Sequence, residues 1–375
     1  MKGTRLCALL MSILMMLSVT SCGKKEEPDT SSQSQPAVSS LYPLPDPEPA
    51  PQPEPLPQPE PEPEPEFPFT NPLTGEGCMT DISQQRPIAV MINNHKSAQP
   101  QVGISQADII YEIPAEGGIT RMLAVFQDVT DAGNIGTVRS ARDYYVSMAY
   151  GMDAIYLHAG GSPQAYTVIK QWGVPALDCV NGPYEGTLYW RDAARKKSGG
   201  FEHSVLTSSE KILELLPTYG LRMEHKEGYS YPMSFTEDAA PTTGLPADTI
   251  TVKFSDYKTG IFRYDADTGL YYVEQYGKPH VDGNTNEQLA MKNILLVQTD
   301  ISVIKGDEAG RLSVRTTGTG KGKFACGGMI ENITWSKESH SKPMVFKTED
   351  GEPLEFGVGS TYICFVGGSS SYGFE

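Results

Sequence analysis

PIAVMI at Pro87–Ile92, DIIYEI at Asp108–Ile113 and RMLAVF at Arg121–Phe126 are compact apolar runs, and AIYL follows at Ala154–Leu157. Their length suits strands buried on both faces, since a half-exposed strand would alternate apolar and polar residues. Between and after them, Ala141–Tyr150, Ser162–Gln171 and Ser208–Leu216 carry helical patterning. Ser208 stands where a helix N-cap would be and Pro217 where that helix must stop. Strand and helix alternate, which predicts an α/β layered domain over residues 70–236.

Working outward, EDAAPTTGLPAD at Glu237–Asp248 lacks periodicity and contains two prolines, so a linker is expected over residues 237–248. Residues 249–375 are almost without helical patterning. Strands are expected at Ile250–Phe254, Ile261–Tyr264, Leu270–Tyr276, Ile294–Val297, Leu312–Thr316, Ile333–Trp335, Met344–Lys347 and Thr361–Val366. Asp265–Gly269 and Glu349–Gly351 separate pairs of these runs as hairpin turns do. The expected fold class is α+β overall: an α/β layered domain followed by a smaller all-β sandwich or barrel over 249–375.

Before residue 70 the chain reads as an address and a tether. Lys2 and Arg5 precede a mainly apolar stretch, Leu6–Val19, and then Val19-Thr20-Ser21-Cys22. This is the form of a secretory signal peptide over residues 1–21, ending in a lipobox whose Cys22 carries the lipid. Two or more acyl chains hold a protein stably on a membrane, where one is marginal. From residue 22 to 69 a proline-rich, disordered tether is expected. Prolines occupy every odd position from Pro43 to Pro65. Proline lacks an N–H donor, and at about 3.1 Å per residue in polyproline II this run would span roughly 70 Å. A spacer is expected, with a proline-rich ligand for a partner as the alternative reading. The expected location is extracytoplasmic, lipid-anchored to a bacterial cell membrane.

The 375-residue chain has a formal net charge of −16. Ten acids between Glu26 and Glu66 and four basic residues before Glu26 leave 26 basic against 36 acidic side chains in residues 67–375. An acidic body of this kind does not bind nucleic acid by counterion release. No apolar run reaches the roughly 20 residues of a membrane-spanning helix, which excludes a polytopic membrane protein. Beyond Cys7 and Cys22, Cys78, Cys179, Cys326 and Cys364 match no zinc or disulfide-scaffold spacing. One disulfide or four free thiols are both compatible with that spacing.

The densest polar constellation sets Arg121, Arg139 and Arg142 near Asp108, Glu112, Glu116 and Asp143. Arg139 and Arg142 are three apart at an expected strand-to-helix junction and could face one way. Guanidinium pairs beside helix N-terminal amides suit a phosphate or carboxylate. The competing reading is that these arginines pair internally with the acids and fix loop geometry. His158, Arg191, Asp192 and His203 form a possible second polar cluster.

Asn71–Gly75, Arg86–Asn94, Gln99–Glu112, Glu116–Gln127, Gly136–Val146, His158–Ser162 and Glu202–Thr207 together resemble the YerB-type lipoproteins, a bacterial family whose two-part domain has no assigned function. Phe262–Tyr272, Thr316–Gly322 and Thr361–Val366 resemble the family's second part. The resemblance implies an envelope lipoprotein with α/β and β parts, and supplies no reaction. The chain departs from that pattern at Thr137 and at His203-Ser204. A second resemblance is to the LytR-CpsA-Psr glycopolymer transferases, through Ala107-Asp108-Ile109 and Ser140–Val146. It implies that Asp108 orients a metal ion while Arg139 and Arg142 hold the diphosphate of a polyprenyl-linked glycan.

Other chemistry has little support. His158 and His203 lie near Ser162 and Ser204, but no G-x-S-x-G elbow is present. HAGGS reads better as a strand end leading to a helix capped by Ser162. Asp265–Gly269 resembles a calcium loop, yet Leu270 stands where that loop needs glycine and Tyr276 where it needs glutamate. Thr319–Lys323 is no P-loop, because Ser or Thr is missing after the lysine, and an exposed basic hairpin is expected there. No cofactor and no metal site are expected. The sequence thus points to a membrane-anchored lipoprotein that binds an anionic envelope ligand or a cell-wall protein without catalysis. A magnesium-dependent enzyme acting on lipid-linked glycan precursors, and a scaffold recruiting cell-wall enzymes, are the alternatives.

Overall fold

A computed structural model describes residues 67–375; the signal segment, Cys22 and the tether up to residue 66 lie outside the described residues. The expected runs become strands: β1 (Ile88–Asn93), β2 (Ile109–Pro114), β3 (Thr120–Phe126) and β4 (Ile155–His158), followed by β5 (Ala176–Asp178). The first four are buried along their whole length. The three expected helices form, as α1 (Asp143–Gly151), α2 (Pro163–Trp172) and α4 (Ser209–Leu215), and α3 (Ala193–Gly199) is added between the last two. Ser162 caps α2 by accepting from the Ala165 amide at 3.1 Å, and Ser208 caps α4 by accepting from Lys211. The sequence reading missed α3, whose side chains are largely exposed.

The later strands are β6 (Leu245–Pro246), β7 (Thr249–Lys253), β8 (Thr259–Asp265), β9 (Leu270–Gln275), β10 (Asn293–Gln298), β11 (Gly318–Cys326), β12 (Met329–Lys337), β13 (Val345–Thr348), β14 (Thr361–Val366) and β15 (Ser371–Phe374). Eleven strands make one mixed sheet in the order β6-β12-β11-β10-β14-β2-β3-β1-β4-β5, with β13 pairing beside β12. The expected linker over 237–248 therefore marks no break in the sheet. Part of it, β6, pairs with Met329 and Ile330, and β14 lies between β10 and β2. The hairpin turn at Asp265–Gly269 forms as expected, with Asp265 opposite Leu270.

Both faces of the large sheet are covered, which explains why its strands are continuously apolar. Ile88, Val90, Ile92, Ile110, Met122 and Tyr362 point to one face and pack with Ile250, Val252, Phe262 and Tyr271 of a second, antiparallel sheet built on β15-β7-β8-β9. Ala89, Met91, Tyr111, Leu123 and Ile363 point to the other, against Tyr144, Tyr145 and Met148 of α1. Two layers against one sheet give an α+β architecture. Cys78, Cys179, Cys326 and Cys364 are free thiols, the last three buried. Among the described residues no helix is long and apolar enough to cross a membrane.

Candidate anion-binding site

Strand direction locates the site. β1 runs parallel to β4, β4 to β5, β2 to β14 and β14 to β10, while β3 is antiparallel to both β1 and β2. The carboxyl ends of β1, β2, β4, β5, β10 and β14 thus share one edge of the sheet, the edge where open α/β sheets hold ligands. Arg121, the second residue of β3, stands opposite Asn93 and Ile113 at that edge.

Three guanidiniums gather there around one half-buried carboxylate. Glu116, in the turn after β2, accepts from Arg121 Nη2 at 2.9 Å and from Arg142 Nε at 3.0 Å, and a second bond joins it to Arg142 Nη2. Arg121 Nη1 donates to the Ser140 carbonyl at 2.6 Å, and Arg139 Nη1 to the Glu202 carbonyl at 3.1 Å. Burial pushes the Glu116 carboxyl up, but Arg121 and Arg142 outweigh it and hold the group below its ordinary value. Burial, with Arg142 adding to it, brings Arg121 down to about 10, so it stays charged at neutral pH. Burial and Arg142 also lower Arg139, with Glu202 opposing. Arg121 Nε and Arg139 Nε are buried without a hydrogen-bond partner among the described residues, as is Tyr156 Oη. Buried donors left unpaired are rare and costly.

The site's far wall comes partly from beyond the expected linker. His203 stacks on His95, with ring centroids 4.9 Å apart, and His95 faces Tyr257 at 6.0 Å. Asn93 Oδ1 accepts from the His95 amide, so its Nδ2 donates to His203 Nδ1 at 2.7 Å and the ring proton sits on Nε2. Burial, Arg139 and His95 lower the His203 pKa, with Glu202 opposing. Gly199 permits this approach, since a Cβ there would lie 2.7 Å from the Ser97 carbonyl. Ser255 Oγ donates to the Gly118 carbonyl at 2.5 Å, seating the 255–258 turn against the Glu116 loop. Beneath that turn Lys258 Nζ lies 3.1 Å from Glu112 and donates to Gln275 at 2.8 Å, with Lys258 and Glu112 each 1 % exposed. Glu112 also accepts from Asn94, Thr120 and Tyr362. A cleft of about 290 Å³ opens beside Glu116, between the 114–119 loop, Phe254–Ser255 and the 367–370 turn.

Two residues of the expected ligand set lie elsewhere or do other work. Asp108 precedes β2 at the opposite edge, five positions from the residue that pairs with Arg121, about 17 Å along the strand. It accepts from Asn71 Nδ2 and the Gln127 amide, and burial pushes its carboxyl up to about 7. Asp143 is the first residue of α1, and its carboxylate sits against its own amide and that of Tyr144. It occupies the helix N-terminal donors that an anion would need.

The second cluster also divides. His203 joins the arginine site, whereas His158 bonds through Nδ1 to the Gly160 carbonyl, 3.8 Å from Asp178. Asp192 caps α3 by accepting from Arg195 N at 2.7 Å, and Arg191 pairs with Glu185 and covers the Phe201 ring. Asn93, His95 and Tyr257 were not singled out from sequence. The polar Asn93-Asn94-His95 triplet directly after the apolar run Ile88–Ile92 was the signal available for the first two.

Comparison with known proteins gives a family. The profile described as "Protein of unknown function (DUF3048) N-terminal domain" matches residues 73–222, and its C-terminal counterpart matches 250–363. A Bacillus subtilis (strain 168) protein named "Putative lipoprotein YerB" is 33% identical over 303 residues, covering 79% of this chain and 85% of its own. The crystal structure of YerB protein from Bacillus subtilis superposes with a TM-score of 0.70 at 29% identity, covering 81% of this chain and 99% of that one.

Proposed function

The chain belongs to the DUF3048 family, and we propose that it is a membrane-anchored, extracytoplasmic lipoprotein whose body binds an anionic cell-envelope ligand through Arg121, Arg139 and Arg142. The anchoring part rests on the lipobox at Cys22 and on the name carried by the Bacillus subtilis relative. In this reading residues 70–236 supply the arginines. Residues 249–375 supply the 255–258 turn, locked in place by Lys258 and Glu112.

One observation carries the binding reading. Arg121 and Arg139 each keep a buried Nε–H with no partner among the described residues, although Glu116 and Glu202 stand beside them. Arginines that merely fixed loop geometry would be expected to satisfy those donors internally. A phosphate or carboxylate supplies the missing acceptors, and guanidinium geometry suits either. The metal-assisted reading draws no support from Asp108, which stands at the other edge of the sheet.

The test is a thermal-shift screen of the intact protein against polyprenyl pyrophosphates, teichoic acid fragments and muropeptides, with and without magnesium. Stabilisation by an anionic compound that Arg139→Gln removes is the expected result. No stabilisation by any of them, or the same stabilisation in the variant, contradicts the proposal and favours a scaffold that works through protein contacts.

A further inference from the structure

A second cleft of about 270 Å³ lies between Gln99–Gln101 and Lys278–Val281, and Gln101 in its wall bonds Asn93 and Asn94. Its chemistry follows from one forced tautomer. Gln101 Nε2 donates to the Asn93 carbonyl at 3.0 Å and to Asn94 Oδ1 at 3.1 Å, so Gln101 Oε1 is the acceptor end of that amide. His280 Nε2 lies 2.9 Å from Oε1 and must therefore be the donor. His280 is 2 % exposed, and burial with Lys258 nearby keeps its ring neutral. Its Nδ1 is consequently a bare acceptor, buried and without a partner among the described residues.

Gln99, which lines the same cleft, carries a buried Nε2 donor that also lacks a partner among the described residues. Pro100, Pro279 and Val281 form the apolar walls. The cleft thus offers one acceptor, one donor and no charge beyond the exposed Lys278. A group that satisfies it carries a donor and an acceptor together, with an apolar flank.

We propose that this cleft binds a neutral acetamido group, its N–H donated to His280 Nδ1, its carbonyl accepting from Gln99 Nε2 and its methyl lying on Pro100 and Pro279. An N-acetylated sugar and an N-acetylated peptide end share this chemistry. Asn93 bonds both Gln101 of the cleft and His203 of the arginine site.

The chain has six histidines, so the intact protein labelled at the histidine ring carbons gives a spectrum in which His280 can be followed. It is titrated separately with N-acetylglucosamine, N-acetylalanine methylamide and glucose. The expected result is a saturable shift of the His280 resonance with one or both acetylated probes and none with glucose; the tighter of the two names the source. Gln99→Leu, on the rim of the cleft, should weaken that binding about fivefold, the worth of one hydrogen bond. Arg139→Gln should leave it unchanged, which separates this test from that of the arginine site. No saturable shift, an equal response to glucose, unaltered binding in Gln99→Leu, or loss of binding in Arg139→Gln would each overturn the proposal.

Discussion

Glu116 is the carboxylate on which Arg121 and Arg142 converge, and its removal leaves two partly buried guanidiniums facing each other. Glu116→Gln is expected to destabilise the fold by about 3 kcal/mol, the cost of breaking a buried ion pair from one side, read by denaturant unfolding. Because the folded carboxyl is held below its unfolded value, its contribution is present above the unfolded pKa of about 4.3 and is lost as pH falls through the folded one. The variant should therefore show a flatter acid limb than the parent. Asp108 has the opposite sign. Burial raises its folded pKa to about 7, with Asn71 and the Gln127 amide opposing. Its contribution is largest below the unfolded value and is lost as pH rises toward 7. Asp108→Ala should thus cost more stability at pH 5 than at pH 8, by about 2 kcal/mol from a shift of this size. An equal penalty at both pH values would contradict that assignment.

At the scale of elements, Lys258 decides whether the 255–258 turn reaches the site. Lys258→Met removes the cation paired with buried Glu112 and should destabilise by about 3–5 kcal/mol; adding Glu112→Gln should restore part of that loss. Equilibrium unfolding of the single and double variants measures both. The strands themselves were legible in sequence because β1, β2 and β3 are covered on both faces and so read as unbroken apolar runs. Ser162 and Ser208 announced their helices by capping them. Lys258 and Glu112 could not be read this way. A lone charge in a strand or turn reads as surface, and only the packing of β7–β9 against β2 buries the pair.

For the whole molecule, the decisive fact is that β14, drawn from the last fifteen residues, lies between β2 and β10. Sequence composition places a boundary at 237–248, near where the two family profiles divide, but strand order depends on long-range pairing that local patterning does not encode. A fragment of residues 67–236 would expose the edge of β2 and the apolar face that β7–β9 cover. It is expected to aggregate or unfold without cooperativity, as circular dichroism and size-exclusion chromatography would show. A stable monomeric fragment would contradict this account of the sheet. The same long-range order explains what was half legible in the site. The three arginines stood out by type and spacing, and two of them meet on Glu116 with the third beside them. Asp108 looked equally close in sequence, yet lies at the other end of β2.

The central claim is that the unpaired guanidinium N–H groups of Arg121 and Arg139 await an anion. Calorimetric titration of the intact protein with inorganic pyrophosphate at low ionic strength, beside Arg139→Gln, tests it most directly. Saturable binding in the parent, weakened roughly tenfold or more in the variant, is the result expected for the loss of a charge-assisted hydrogen bond. Binding that is absent in the parent, or equal in both proteins, would contradict it.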